Sequence, residues 1–388
     1  LTTAGGTTAI GRSAMGTGVV TGDHNTAVGY LSGAGLTSGV SNTFVGTIAG
    51  DATSTGDYNV AVGRGALTTN TTASGNVAVG AEAALTNSSG ILTAIGYQAM
   101  YLGSATTANA TDSVAIGYQS MFAANSTTAN LSSNTAVGNL SLQLYSNTTG
   151  TVQYNVALGT QAMQLYSNTT GTVTSNVAIG VNSMRMYANT TQTVAYNVAI
   201  GSDALAVNQN SYNTAVGYSS LAANTSGTYN TAVGYAALIT ATTGIENVAV
   251  GRDALSLTNG NYNTAVGGIA GRDLTGSNNT AIGWGALYQL NNGSGNIMIQ
   301  PLNASSSYAP AYNIASTASN LISMGHTGIT TAYIQVAWTV VSDLRDKIVL
   351  GDVPLGLDFV RKLKPIKYQF TETRGDNTPH GDVKYGFG

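Results

Sequence analysis

The chain has no cysteine, no lysine before Lys347, no proline before Pro301, and charge on only 7% of its 388 residues. The missing cysteine excludes disulfides and thiolate metal sites, though it does not fix a redox compartment. The first 342 residues hold five arginines and nine acids, a net of 5 − 9 = −4. That leaves no basic stripe for a phosphate backbone, so nucleic acid is not an expected partner. No run of 18 apolar residues is present to span a bilayer, so membrane insertion is not expected either. His24, His326 and His380 form no metal-ligand spacing, and no cofactor is expected. The start at Leu1, without methionine or a signal-peptide pattern, leads to the expectation that the chain begins inside a longer protein.

In place of charge there are 49 glycines, 21 tyrosines and much Ala, Thr and Asn. These fall into one recurring motif: Asn, then Thr or Val, Ala, Val or Ile, and Gly. It reads NTAVG at Asn25, Asn134, Asn213, Asn230 and Asn263, and NVAVG or NVAIG at Asn59, Asn76, Asn176, Asn197 and Asn247. The closing glycines run from Gly11 to Gly283, and a degenerate NIMIQ follows at Asn296–Gln300. Their spacing is 16 to 18 residues, then 21 five times, then 16 to 17. Self-similarity at such a period means stacked coils, each unable to bury its apolar face alone.

Glycine and β-branched residues in every copy argue against helix, and no apolar stripe at helical spacing persists. The reading is an all-β solenoid. The apolar pair that follows each glycine, such as Ala204 and Leu205 or Ala237 and Leu238, suggests a second short strand per coil. In an extended NTAVG the Thr or Val and the second Val or Ile face one way and Ala the other. Both faces are then apolar or small, which predicts one side in the coil and the other against a partner. Ala, being small, suits close approach of chains around an axis, and a homotrimer is the expected closed assembly. At roughly 4.8 Å per coil, about sixteen coils make a rod on the order of 80 Å.

The 21-residue periods lengthen one corner, with LYSNTTGTV at Leu144 and Leu165 and MYANTTQTV at Met186. Such insertions predict a ledge on one side, with Tyr145, Tyr166 and Tyr187 in a column. That column is a candidate carbohydrate-binding surface, although ladders of identical residues also simply stabilise coils. The NTT, NTS and NSS triplets match a glycosylation acceptor, but Asn-rich turns generate that match by composition.

NTAVG, NVAIG and SVAIG (Ser113–Gly117) resemble the head repeats of trimeric autotransporter adhesins of the YadA type. The longer period with its Ala-Leu pair is similar to shaft repeats of bacteriophage tail fibres. The resemblance covers about residues 1 to 300 and implies a parallel β-roll, left-handed and trimeric.

After Gln300 the repeat grammar ends, and Pro301, Pro310 and a Ser/Ala-rich stretch mark a boundary. Residues 301–341 read as a neck. From Ser342 the composition changes, with eight basic and seven acidic residues in the last 46. A helix is predicted over Pro354–Leu363, with Arg361, Lys362 and Lys364 at its end, followed by a strand at IKYQF. SDLRDK at Ser342, FVRKLKPIKYQF at Phe359 and KYGF at Lys384 together resemble the start of the endosialidase-type intramolecular chaperone of phage tail fibres and spikes. That family assembles the trimer and then cuts its own chain. The resemblance implies Ser342 as nucleophile and Lys347 as base, with Asp343 flanking the broken bond. Chemically, a serine hydroxyl needs a base, and a lysine serves when its pKa is depressed by desolvation or by a nearby cation such as Arg345. Measured against the family, an end at Gly388 implies a truncated α+β chaperone segment over residues 342–388.

The sequence therefore leads to the expectation of a structural, host-receptor-binding trimeric fibre of a phage virion, extracellular, meeting a cell-surface glycan or protein. A bacterial surface adhesin is the alternative, and a glycan-degrading spike a weaker one. Glycoside hydrolysis needs two carboxylates at a fixed short separation. Asp203 and Asp253 occupy matching repeat positions three coils apart, roughly 14 Å, which is too far.

Overall fold

The computed structural model describes residues 4–16, 19–86, 90–103, 110–123, 130–145, 150–166, 171–186, 193–288, 290–300, 317–326, 365–371 and 379–387. Two compact units divide the chain, Leu1–Thr330 and Thr331–Gly388.

The first unit is a parallel β-solenoid. Each motif copy contributes a strand of three or four residues, from Thr8–Ile10 to Ile322–Met324, and these stack into one 18-stranded sheet. Register is strict: Thr214 pairs with Thr231, Ala215 with Ala232 and Val216 with Val233. The strand Ile322–Met324 adds a rung onto Ile297–Ile299, carrying the sheet into what the sequence reads as the neck. No helix occurs among the described residues.

The middle residue of each strand points into the coil. Ala27, Ala61, Ala136 and Ala232 are fully buried there, while the flanking Thr, Val and Ile are half-buried or exposed. This corrects the expectation that Ala meets other chains. The coil interior opposite the strand is already filled by Leu or Met, so only a methyl fits between sheet and far wall. The Val and Ile face is the one turned outward.

The expected second strand is also corrected. The Ala-Leu segment pairs with neighbouring coils, but through alternating right- and left-handed turns. In the coil after Gly234, Ala236 and Leu238 have φ of +54° and +51°. The Ala236 N–H donates back to the Tyr218 carbonyl at 2.9 Å, and the Leu238 N–H donates forward to Ala254 at 3.0 Å. Each left-handed non-glycine residue costs about 1 kcal/mol. These inter-coil bonds offset that cost while bending the chain tightly enough to close a small coil.

A buried polar ladder locks the stack. The motif's Asn side chain lies inside, and Asn247 shows the pattern: its N–H and Nδ2 both donate to Asn230 Oδ1, at 3.0 and 3.1 Å, and Nδ2 also donates to the Gly260 carbonyl at 2.8 Å. The same contacts join Asn134 through Asn296, except that Asn213 reaches Asn197 through its backbone N–H while its Nδ2 donates to the Ser211 and Gly227 carbonyls. Ser113 takes the Asn place one coil earlier, its Oγ accepting from the Asn134 N–H. Leu92 takes it one coil before that, and there Asn76 Oδ1 is buried with no hydrogen-bond partner.

An unmet buried donor or acceptor costs about 1–3 kcal/mol. Asn230→Leu would leave the Asn247 N–H without its acceptor, reduce Asn247 Nδ2 to its bond with the Gly260 carbonyl, and remove the Nδ2 bonds to Asn213 Oδ1 and the Gly244 carbonyl, while the backbone N–H still donates to Asn213. Asn76→Leu strands nothing: Asn59 Oδ1 loses one donor and keeps the Asn76 N–H, and Asn76 Oδ1 has no donor to lose. In chemical denaturation, Asn230→Leu is therefore expected to lose about 2 kcal/mol more than Asn76→Leu. Equal losses would show that the ladder's contacts do not add stability.

The 21-residue coils enlarge the interior. Val152–Gln153, Val173–Thr174 and Val194–Ala195 form a second parallel sheet, and Val152, Val173 and Val194 are fully buried. Leu144, Leu165 and Met186 bridge one another on the way out of the core. Part of the insertion is thus core, and the remaining tips at 146–149, 167–170 and 187–192 lie outside the described residues.

The second unit contains a hairpin in which Pro365–Thr371 runs antiparallel to Pro379–Phe387, with a register shift between Tyr368 and Phe370. The expected strand at IKYQF is part of it. The helix predicted over Pro354–Leu363 lies outside the described residues.

Candidate functional site

The widest feature of the described surface is the outward face of the long sheet. Along an extended NTAV, residues two apart share a side. Thr214 and Val216 therefore face out and Asn213 and Ala215 in, and Tyr212 and Tyr218, which flank the strand outside its extended part, are exposed beside the outward pair. Repetition in register turns each outward position into a column. Two columns belong to the strand itself, where Val248 is 36% exposed and Val266 and Ile282 are each 40% exposed.

A flank borders each side. The asparagine flank holds the residue before Asn: Tyr196, Tyr212, Tyr229, Glu246 and Tyr262 in successive coils. Tyr196, Tyr212 and Tyr229 stack with centroids 5.3 and 4.9 Å apart. The glycine flank holds the residue after Gly, with Tyr218 stacked on Tyr235 at 5.4 Å and Tyr97 on Tyr118 at 5.6 Å. Stacked pairs of this kind add about 0.5–1.5 kcal/mol each beyond their burial.

Parallel sheets are ordinarily covered on both faces. Here the outer face carries Thr, Val and Ile along its strands with exposed tyrosines on its flanks, and an exposed patch of this kind marks an interaction surface. Two depressions lie on its asparagine flank. One of about 350 Å³ is lined by Gly75, Ile91, Asp112 and neighbouring strand residues. The other, about 500 Å³, is lined by Tyr229, Glu246 and Val248 where Glu246 breaks the tyrosine column.

Of the tyrosines predicted to form a ledge, Tyr145 and Tyr166 do stack, with centroids 4.7 Å apart and rings nearly parallel. Tyr166 donates its hydroxyl to Gln164 Oε1. Burial raises the Tyr145 phenol above its ordinary value, and Tyr166 adds to the shift. Each ring covers one face of the other, so the pair acts first as a strut between coils. Tyr187 lies outside the described residues, as do Ser342, Asp343 and Lys347.

Acids are sparse and mostly engaged along the stack. Arg64 pairs with Glu82, to which Gln98 also donates at 2.8 Å, and Arg272 binds both Asp273 and the Tyr288 hydroxyl. The bond to Asp273 is the main reason that Arg272 holds its proton even more tightly than usual. Among the described residues no group of His, Asp and Glu could hold a metal ion.

Reading the sequence by composition missed two things. It took Asn as a turn former, although the motif's Asn is an interior residue. It also passed over the flanking tyrosines. The signal for both was position: Asn recurs at one repeat site in nearly every copy, and the tyrosines stand an even number of residues from Thr and Val. No family model, curated protein or solved structure matches the chain.

Proposed function

We propose that the chain is the repeat shaft of a homotrimeric fibre, the tail fibre of a phage virion, which presents its coils to a glycan or protein on the host cell surface. The observation that carries this reading is the outward sheet face. A long apolar face of one parallel chain, bordered by tyrosines, is covered most simply by identical faces around a common axis. A rod bonded coil to coil by its backbone, with Asn side chains reinforcing most of those steps, suits a mechanical role.

The virion is preferred to a bacterial adhesin because SDLRDK and FVRKLKPIKYQF resemble the chaperone that matures phage fibres. On this reading Ser342 attacks its own chain once, with Lys347 taking the proton, after the trimer has formed. The coils lengthened at Leu144, Leu165 and Met186 are the segment assigned to the host receptor.

Light scattering of the full chain is expected to give three times the monomer mass, and a monomeric mass would overturn the trimer. Intact-mass analysis of the same sample is expected to show a cut before Ser342, which Ser342→Ala abolishes while leaving the trimer formed. A folded wild-type chain that stays whole would remove the self-cleavage proposal.

A further inference from the structure

We infer that the two flanks of the outward face are complementary halves of one seam, so that the glycine flank of one copy docks into the asparagine flank of a second copy at the same height. The inference rests on the trimeric reading. Its basis is a match, in the coils of Ile91, Asp112 and Glu246, between what projects on one flank and what is missing on the other.

The coil at Val248–Val250 carries Glu246 on one flank and Arg252 on the other. The Arg252 side chain is 63% exposed and its guanidinium pairs with the adjacent Asp253, at 3.5 Å. None of the ion pairs among the described residues includes Glu246. Glu246 instead floors the depression of about 500 Å³ left where its column lacks a tyrosine. An arginine entering there would meet a carboxylate below the Tyr229 ring, and a guanidinium is suited to both contacts.

The second depression repeats the relation. Its flank residues are Gly75, Ile91 and Asp112. At the heights of Ile91 and Asp112 the opposite flank projects Tyr97 and Tyr118, stacked on each other and 43% and 49% exposed. Two rings filling a hollow of about 350 Å³, with the Tyr118 hydroxyl donating to Asp112, is the aromatic version of the Arg252 contact. Both hollows lie on one flank and their fillers on the other. The contact is therefore heterologous, and it closes into a ring only if all copies run parallel and in register. Elsewhere the described flanks carry charge at Arg12, Arg64 and Asp112, and the Glu246–Arg252 pair, which sets opposite charges on the two flanks of one coil, penalises antiparallel docking.

Because the chain has no cysteine, disulfide trapping tests the register without background. Ser175 and Val181 border one strand, six residues apart, with the extended stretch from 176 to 179 alone spanning roughly 10 Å. That is too far for a bond within a chain. Under oxidation Ser175→Cys/Val181→Cys is expected to give a covalent trimer on a non-reducing gel. Ser133→Cys/Val181→Cys, offset by two coils, is expected to give none. In parallel, Glu246→Arg and Arg252→Glu should each raise the concentration at which trimers dissociate by at least about tenfold, and the double reversal should restore it.

A trimeric mass with no trapping by the matched pair, or trapping by the offset pair, overturns the seam and leaves the trimer standing. So does a double reversal that fails to recover. A monomeric wild-type mass overturns both.

Discussion

Gly234→Ala is expected to destabilise the solenoid by about 4 kcal/mol, although it adds a single methyl group. Gly234 has φ of +136°, a backbone region that L residues avoid. A Cβ there would also sit 2.5 Å from the Gly251 carbonyl oxygen and 2.7 Å from its carbon, both backbone atoms of the next coil. Neither can move without pulling two coils apart and lengthening the bonds of the Asn ladder. The one place where the motif ends without glycine supports the argument: Gln300 has a φ of +53°, so the residue is accommodated by changing the local path of the chain. Gly75 is the control, with φ of +75° and nothing nearer its would-be Cβ than Ile91 Cγ1 at 3.9 Å. Other coils place Tyr58 or Ser133 there at φ of +57° and +59°, so Gly75→Asn is expected to change stability by no more than about 0.5 kcal/mol. Because a solenoid is a one-dimensional array, limited proteolysis of Gly234→Ala should open the chain near that coil first. A melting curve that superposes on wild type would show that the glycine column is not needed for coil spacing.

The coiled, all-β character was legible in the sequence because it follows from period and alternation, which stacking cannot override. NTAVG fixes a short strand with two unlike sides. Which side faces in was not legible from the motif alone. Ala is compatible with a tight coil interior and with a tight interface between chains, and the choice turns on what fills the opposite wall. Leu205 and Leu238 decide it, because they occupy the interior and leave room only for a methyl group. The Ala-Leu segment misled for a different reason: left-handed φ at residues such as Leu238 is paid for by contacts with the coils above and below, which local propensity does not register. Of the candidate site, the tyrosine stacking at Tyr145 and Tyr166 could be anticipated from a 21-residue spacing. The outward face could not, since it becomes a surface only once eighteen strands stand in register.

Phe44→Ala is expected to cost about 3–5 kcal/mol, yet to become nearly harmless when Gly33 and Gly50 are changed with it. Phe44 stands at the strand position that Ala holds in the adjoining coils, paired with Ala27 on one side and Ala61 on the other, and it is completely buried. Space for its ring comes from the residues four places after the motif glycine. Later coils put Leu67 or Leu205 there, whereas the coils around Phe44 have Gly33 and Gly50. A Cβ on Gly33 would meet Phe44 Cδ2 at 2.8 Å, and one on Gly50 would meet Cδ1 at 2.6 Å. Gly50→Leu alone is therefore overpacked and destabilising by several kcal/mol. The backbone does not forbid it: Gly50 has φ of +56°, close to the +53° of Leu67. In Phe44→Ala the same Leu fills the cavity and also removes a glycine's freedom from the unfolded chain. The triple variant Phe44→Ala/Gly33→Leu/Gly50→Leu restores the majority pattern and should recover most of the loss. A double-mutant cycle between Phe44→Ala and Gly50→Leu, read by denaturant midpoint, should give a coupling of at least about 3 kcal/mol. Additive effects would mean that the ring and the two glycines do not share one volume, and that each coil packs its interior independently of its neighbours.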